Sequence, residues 1–209
     1  MDRERTAITN PYSIGMKTHL AFFLLSAGVI ISLFGCEPVA ESYTGAEAPS
    51  FSLTALDGEP ISLDKFRGRP VVIHFGTSWC PFCRAEDSHL QALYEQYRDK
   101  GVAVLVVNVK ETEDKASEWY QQASFTLPMI LDRDGSVAAA FAPPDAQPDL
   151  PRDEVMIASN LVIDSDGIVR FFSLLDSKAF DAKLVDLKAR LDEVLEEAGT
   201  PPDVTQASR

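Results

Sequence analysis

Two cysteines separated by two residues constrain this chain more than any other feature, because of the segments on either side of them. Before the Cys-Pro-Phe-Cys motif at Cys80–Cys83, the apolar run Val71–Phe75 predicts a short buried strand. After the motif, apolar residues at helical spacing predict a helix that ends near Gly101. The run Val102–Val109 predicts a second buried strand. A strand, a helix and a strand in this order indicate a parallel β-α-β unit and an α/β fold.

The remaining patterns extend this unit on both sides. Alternating apolar residues around Gly58 predict an N-terminal β-hairpin, and Asp166-Gly167 predicts the turn of a second hairpin. The other predicted elements are helices at 113–122 (capped by Thr112), at 136–141 and from Phe180 to Leu195, and a strand at 127–131. We therefore predict a mixed central sheet flanked by helices, with an N-terminal β-hairpin extension.

Composition divides the chain into four predicted segments. They are a signal peptide at 1–35, a lipidated tether at 36–48, one domain at 49–198 with a proline-rich insertion at about 142–158, and a disordered tail at 199–209. The signal contains an uncharged run, Leu20–Phe34, which is short for a helix that must span about 20 residues of hydrocarbon. A start at Met16 would give a signal of ordinary length.

The chain has three cysteines, and the first of them has a different explanation from the pair. Leu33-Phe34-Gly35-Cys36 closes the apolar run and resembles the lipobox of bacterial lipoproteins, although a smaller residue is usual in place of Phe34. That resemblance implies that Cys36 becomes the lipidated first residue of the mature chain. The alternative is an uncleaved anchor with an incidental cysteine. With the lipobox, we expect the protein in the cell envelope, anchored by lipid to a membrane and facing the periplasm or the extracellular side.

The motif at 80–83 predicts redox chemistry. A cysteine at a helix start faces unpaired N–H groups and the helix dipole, which stabilise a thiolate. Two intervening residues allow a second thiol to reach the first within disulfide geometry. We therefore predict that Cys80 is an exposed nucleophile and that Cys83, one turn inward, is the resolving thiol. Their disulfide is the predicted redox group, with no other cofactor and no metal.

Other chemistry for this pair is less consistent with the composition. The chain has no second cysteine pair and no spaced histidine pair that would complete a zinc site. An inert structural disulfide is a weaker alternative, because a strand-to-helix junction favours a reactive thiolate. The formal net charge of −13 argues against nucleic acid as a partner, since phosphate binding needs clustered cations.

The residues around the motif resemble the TlpA/ResA-type thiol-disulfide oxidoreductases, which have a thioredoxin-like fold. The matching segments are Ala48–Leu53, the Gly58 turn, Leu63 with Phe66 and Gly68, Phe75–Cys83, Val107–Val109 and Leu161–Gly167. They extend over about three-fifths of the chain. The resemblance implies redox-active Cys80 and Cys83, and an active site flanked by Trp79, Pro81 and Phe82.

The resemblance also implies partners for the protein. The family is usually membrane-anchored and extracytoplasmic. We therefore expect cysteine-containing exported proteins as clients, with apocytochrome c as one candidate. A membrane thiol reductant or oxidant would exchange electrons with the motif. The direction of electron flow stays open, because Pro81-Phe82 differs from the pairs common in reducing members.

Two polar residues near the motif are tentative site residues. Glu86 lies three residues after Cys83, where a family glutamate influences cysteine pKa values and proton handling; the alternative is an ordinary glutamate on the helix surface. His74 lies six residues before Cys80, where the family often has asparagine. We hypothesise that His74 influences release of the Cys83 thiolate, and the alternative is a core histidine bonded to backbone.

One position departs from the family pattern. Thioredoxin-fold enzymes usually carry a cis-proline just before the strand that here includes Leu161, and Ala158 occupies that position after Ile157. A cis bond without proline costs about 3 kcal/mol, so a trans bond is expected. Two other functions stay open. One is a peroxiredoxin-like thiol peroxidase, since Thr77 and Cys80 have a T-x-x-C spacing. The other, which the missing cis-proline keeps open, is a non-catalytic thioredoxin-like module that binds a metal or a partner.

Overall fold

A central mixed β-sheet organises the computed structural model, which describes residues 43–143, 146–147, 149–151, 158–175 and 180–199. Its strands are β1 (Ser52–Ala55), β2 (Pro60–Ser62), β3 (Val71–Gly76), β4 (Ala103–Val109), β5 (Met129–Asp132), β6 (Ser159–Ile163) and β7 (Val169–Leu174). The helices are α1 (Pro81–Tyr97), α2 (Glu113–Gln122), α3 (Ser136–Phe141) and α4 (Val185–Gly199), with short 3-10 turns at Leu63–Phe66 and Arg98–Lys100.

The strands run in the order β2-β1-β5-β4-β3-β6-β7. The middle three, β5, β4 and β3, are parallel, as the β-α-β pattern predicted, and both edges are antiparallel. The N-terminal hairpin β1-β2 joins the sheet beside β5. The predicted class, a thioredoxin-like mixed sheet with an N-terminal hairpin extension, is confirmed.

Strand alternation decides which face of β3 meets which helices. Ile73 and Phe75 point to the side that carries α3 and the turn at Leu63–Phe66. Val72 points to the opposite side, where apolar residues of α1, α2 and α4 pack. His74 has the same parity as Val72, so it faces α1 from within the sheet. This alternation brings a polar side chain of a buried strand under the helix that carries the cysteines.

Two elements differ from their sequence predictions. The last helix begins at Val185 rather than at Phe180, because Leu184 has a positive φ of 55° and the Asp181 carboxylate accepts hydrogen bonds from the backbone N–H groups of Lys183 and Asp186. This turn is incompatible with a continuous helix through Leu184.

The end of the predicted tether is also part of the fold. Backbone N–H groups of Gly45 and Ala48 bond to the carbonyls of Val169 and Gly167 at 2.8 and 2.9 Å, and the ring of Tyr43 packs on Phe172. The predicted signal at 1–35, Cys36, most of the insertion and the tail from residue 200 lie outside the described residues. Within the described ranges, no helix has the length and apolar character that a membrane span requires.

Candidate active site

Cys80 caps the N-terminus of α1, directly after the loop that follows β3. Its Sγ accepts a hydrogen bond from the backbone N–H of Cys83 at 3.4 Å. Pro81 occupies the first helical position, where a backbone N–H has no partner within the helix, so the absence of an N–H on proline costs no hydrogen bond. The local sequence thus forms a helix start with a sulfur at its cap.

The exposure of Cys80 differs from the prediction. Only 7% of the residue is exposed, because the capping geometry turns the sulfur toward the helix, whereas the preceding Trp79 is 68% exposed. Cys83 is fully buried, which agrees with its predicted inward position. Both cysteines are free thiols in the structure. The exposed group beside the motif is therefore the Trp79 side chain, and the Cys80 sulfur is only slightly open to solvent.

The two thiols have opposite electrostatic environments. A hydrogen bond from the Cys83 thiol, helped by the backbone N–H groups of Cys83 and Phe82, lowers the pKa of Cys80 to about 6. The same pairing with Cys80, together with burial and the nearby Glu86, raises the pKa of Cys83. One thiol is therefore a thiolate near neutral pH while the other keeps its proton, which is the asymmetry that a nucleophile and a resolving thiol require.

A buried polar cluster lies beneath Cys83. It consists of His74 on β3, Glu86 on α1 and Asn160 on β6, which are 0–2% exposed. Asn160 donates from Nδ2 to both oxygens of Glu86 at 3.0 Å, and its Oδ1 is 2.8 Å from Nδ1 of His74. The same Nδ1 is 3.3 Å from Oε2 of Glu86. The sheet register pairs His74 with Asn160, so the cluster follows from strand pairing.

The sequence located two members of this cluster. For Glu86 the surface alternative is wrong, since its carboxylate is buried against Asn160 and His74. For His74, the alternative of a backbone partner is also wrong, because its Nδ1 contacts two side chains. Asn160 was missed. A polar residue two positions after Ala158, in a strand that pairs with β3, was the signal available in the sequence.

A second buried contact lies beside the cluster. The Asp87 carboxylate accepts a hydrogen bond from Nε1 of Trp119 at 2.9 Å and lies 3.5 Å from Nη1 of Arg84. Burial raises the pKa of Asp87, and the bond from Trp119 partly opposes that shift. The Trp119 ring also meets His74 edge-on, with ring centroids 6.2 Å apart. Trp119 therefore closes the cluster on its α2 side.

The loop before Cys80 is held by Glu111, which the sequence did not single out. Its carboxylate accepts hydrogen bonds from the backbone N–H and the hydroxyl of Ser78, at 2.7 and 2.6 Å. It also accepts one from Nδ2 of Asn108 at 2.7 Å. Asn108 lies on β4, where it pairs with Gly76 at the end of β3. The Glu111 carboxylate therefore connects the loop before Cys80 to β4.

The other flanking residues line the surface around the motif. The ring of Phe82 packs edge-on against Phe180, with centroids 4.9 Å apart. Ala158 immediately precedes β6, and its carbonyl accepts a hydrogen bond from the backbone N–H of Leu175 at 2.9 Å. The Ile157–Ala158 bond begins outside the described residues, so its predicted trans state stays a prediction. In the part of the chain that the structure describes, no three His, Cys, Asp or Glu side chains are grouped to hold a metal ion.

A free dithiol at a helix N-terminus, in this sheet order, defines a thioredoxin-fold protein with a CxxC active-site motif. The chain belongs to the AhpC/TSA family, whose model matches residues 44–172. The predicted resemblance to the ResA type is confirmed by relatives that carry that name.

The relatives agree with the predicted class of enzyme. The chain is 33% identical over 128 residues to the thiol-disulfide oxidoreductase ResA of Geobacillus kaustophilus, covering 60% of this chain and 73% of that one. It is 28% identical over 125 residues to ResA of Bacillus thuringiensis, covering 60% of this chain and 66% of the relative. A structure of a secreted Mycobacterium tuberculosis disulfide oxidoreductase, homologous to E. coli DsbE, superposes with a TM-score of 0.55 at 22% identity, over 68% of this chain and 95% of that one. That last likeness supports the fold.

Proposed function

We propose that this protein is a thiol-disulfide oxidoreductase in which Cys80 exchanges with cysteines of exported proteins and Cys83 resolves the intermediate. The observation that carries the proposal is the asymmetry of the two thiols: the pKa of Cys80 is lowered to about 6, and that of the fully buried Cys83 is raised. A catalytic pair needs such a difference, because both a reactive thiolate and a retained second thiol are required.

The exchange proceeds through a mixed disulfide. The Cys80 thiolate attacks one sulfur of a client disulfide, a Cys80–client S–S bond forms, and the other client sulfur leaves as a thiolate. Cys83 then attacks Cys80, which forms the Cys80–Cys83 disulfide and releases the second client thiol. Two electrons pass from the dithiol to the client. The reverse sequence oxidises a client dithiol.

The test uses the purified full-length protein in detergent, reduced and mixed with a peptide that contains one disulfide. We expect the wild type to release peptide thiols and Cys80→Ser to release none. Cys83→Ser is expected to accumulate the peptide as a mixed disulfide on Cys80, visible by mass spectrometry without reductant. A Cys83→Ser variant that never forms this adduct, while remaining folded, would contradict the assignment of Cys80.

The same preparation distinguishes the two alternative functions. Peroxide consumption that is much faster than peptide reduction, measured by stopped flow, would favour a thiol peroxidase and contradict the proposal. Tight binding of Cu(I) or Zn(II) without peptide reduction would favour a metal-binding module and contradict it as well.

The direction of electron flow follows from the potential of the Cys80–Cys83 couple. We propose clients that include cysteine pairs of exported proteins, apocytochrome c among them, and a membrane thiol reductant or oxidant as the second partner. Equilibration with glutathione or dithiothreitol buffers measures the potential. A potential well below that of the oxidising envelope supports client reduction, whereas one near the oxidising end supports client oxidation.

The proposed location rests on the sequence around Cys36. We propose that this cysteine carries a lipid that anchors the protein on the outer side of a membrane. Expression with labelled palmitate is expected to label the wild type and not Cys36→Ser, and the variant is expected to leave the membrane fraction or to stay unprocessed. Equal labelling of both proteins would rule out this anchor.

A further inference from the structure

Resting on the proposed function, we infer that Nε2 of His74 is the base that takes the proton from Cys83 when Cys83 resolves the mixed disulfide. Asn160 is the positioning residue, because it fixes the tautomer of His74 in which Nε2 is unprotonated. Resolution by a buried thiol requires a proton acceptor, because the thiolate is the nucleophile and burial disfavours its formation. The cluster beneath Cys83 supplies one.

The hydrogen bonds of Asn160 determine the tautomer of His74. Only the amide nitrogen of Asn160 is able to donate to the Glu86 carboxylate, and it lies 3.0 Å from both oxygens. The amide oxygen therefore faces Nδ1 of His74 at 2.8 Å, and it accepts a proton that Nδ1 must carry. In a neutral imidazole with the proton on Nδ1, Nε2 holds the lone pair.

Nε2 of His74 and the sulfur of the resolving cysteine lie on either side of the same small space above Gly76. A Cβ built on Gly76 would lie 2.5 Å from Nε2 of His74 and 2.9 Å from Sγ of Cys83, so both atoms border the same small space. Nε2 is buried and has no hydrogen-bond partner among the described residues. A buried nitrogen acceptor without a partner normally costs free energy, and a role in proton transfer explains why it is retained.

The surroundings stabilise the imidazolium that the transfer creates. Protonated His74 would carry its charge 3.3 Å from Oε2 of Glu86. Among the described residues, the titratable or charged groups near the ring are Cys80 at the cap of α1 and Cys83, Glu86 and Asp87 on α1, with Arg84 paired to Asp87. Asp181 and Asp186 line the crevice that reaches Glu86 and Asn160. Trp119 from α2 contributes its ring edge.

The step balances in protons and electrons. Nε2 of His74 receives the Cys83 proton as the Cys83 sulfur attacks Cys80. The Cys80–Cys83 S–S bond forms, the Cys80–client S–S bond breaks, and the electron pair leaves with the client sulfur. The client thiolate takes a proton from the imidazolium or from water, which returns His74 to its neutral form. The base is neither consumed nor oxidised.

The experiment separates attack by Cys80 from resolution by Cys83 in one trace. Reduced full-length protein is mixed with Ellman's reagent in a stopped-flow instrument; Cys80 releases the first thionitrobenzoate, and Cys83 releases the second from the mixed disulfide. We expect His74→Asn to slow the second phase by about 100-fold, the typical worth of a general base. The first phase, measured above neutral pH where Cys80 is a thiolate, is expected to stay within about twofold of the wild type. His89→Asn, on the same helix as the cysteines but outside the cluster, is the matched control.

The pH profile distinguishes a base from a packing residue. The asparagine amide is not basic enough to take the Cys83 proton, so we expect hydroxide to take it in His74→Asn. The second-phase rate constant of that variant is therefore expected to rise about tenfold per pH unit across the neutral and alkaline range. The wild-type profile is expected to be clearly shallower. Equal second-phase rates and equal profiles in the two proteins would overturn the inference. Failure of the wild type to release the first thionitrobenzoate would instead overturn the proposed function.

A measurement on the wild type keeps the inference testable if His74→Asn does not fold. Long-range proton-nitrogen NMR of the reduced protein, with His19→Asn and His89→Asn used to assign the signals, reports which ring nitrogen of His74 carries the proton. We expect a protonated Nδ1 and an unprotonated Nε2. A proton on Nε2 of the neutral ring would overturn the inference, because that nitrogen would have no lone pair to offer Cys83.

Discussion

Gly76→Ala tests the packing of the active site most directly, because one added methyl group would meet both His74 and Cys83. The new Cβ would lie 2.5 Å from Nε2 and 3.1 Å from Cδ2 of His74, and 2.9 Å from Sγ of Cys83. Ordinary contacts between such atoms are about 3.5 Å or longer, so the imidazole must retreat by about 1 Å and the sulfur by somewhat less. Both side chains are fully buried, and a close-packed interior resists such a movement.

The cost follows from what the retreat breaks. Moving the ring by about 1 Å lengthens its 2.8 Å bond to Asn160 beyond hydrogen-bond distance and leaves buried polar atoms unpaired. Overpacking and an unmade buried bond each cost roughly 1–3 kcal/mol. The two costs are not additive, because the shift of the ring that relieves the overpacking is the same shift that breaks the hydrogen bond. We therefore expect a loss of about 2 kcal/mol in the free energy of unfolding. For a domain of this size that lowers Tm by about 4–8 °C.

The assay is thermal and urea unfolding of the reduced protein followed by circular dichroism, with the Ellman's reagent trace as a second measurement. Gly199→Ala is the matched control, since a Cβ there meets nothing within 4 Å and the change is expected to stay within about 0.5 kcal/mol. We expect Gly76→Ala also to slow the second phase of the trace. A Tm within about 1 °C of the wild type would refute the close approach of His74 and Cys83 over Gly76.

Two further predictions concern the nucleophile and its loop. The thiolate absorbance of Cys80 is expected to appear with a midpoint near pH 6, with the thiol protonated below that pH and ionised above it. Cys83→Ala removes the side-chain donor that is the largest cause of the lowered pKa of Cys80, so it is expected to move that midpoint upward. An unchanged midpoint would assign the shift to the backbone N–H groups. Glu111→Ala removes three hydrogen bonds, including both from Ser78, and is expected to destabilise the fold by about 2 kcal/mol and to slow the first Ellman phase. Glu113→Ala, which loses an exposed ion pair with Arg133, is expected to cost less than about 1 kcal/mol. Equal losses in the two variants would therefore contradict the holding role of Glu111.

Much of the fold could be predicted from the sequence, because its signals are local. The apolar runs of β3 and β4 are buried strands, Thr112 caps α2 by accepting a hydrogen bond from the Lys115 backbone N–H, and a glycine with positive φ ends the turn after α1 at Gly101. Each of these depends on residues within a few positions of one another. The start of the last helix was predicted wrongly, since apolar periodicity continues through Leu184 while the backbone there turns around Asp181.

The candidate site divides in the same physical way. The sequence by itself determined the cysteine pair and its position at a helix start, because a CxxC motif after a buried strand specifies them locally, and from these it predicts the order of roles. Only the tertiary structure decided that Cys80 is largely buried, that Glu86 faces inward, and that Asn160 joins it to His74. Those contacts join residues 74 or more positions apart, and they exist because β6 pairs antiparallel with β3 beneath α1. Strand order and register are set by packing of the whole sheet, which no local pattern records.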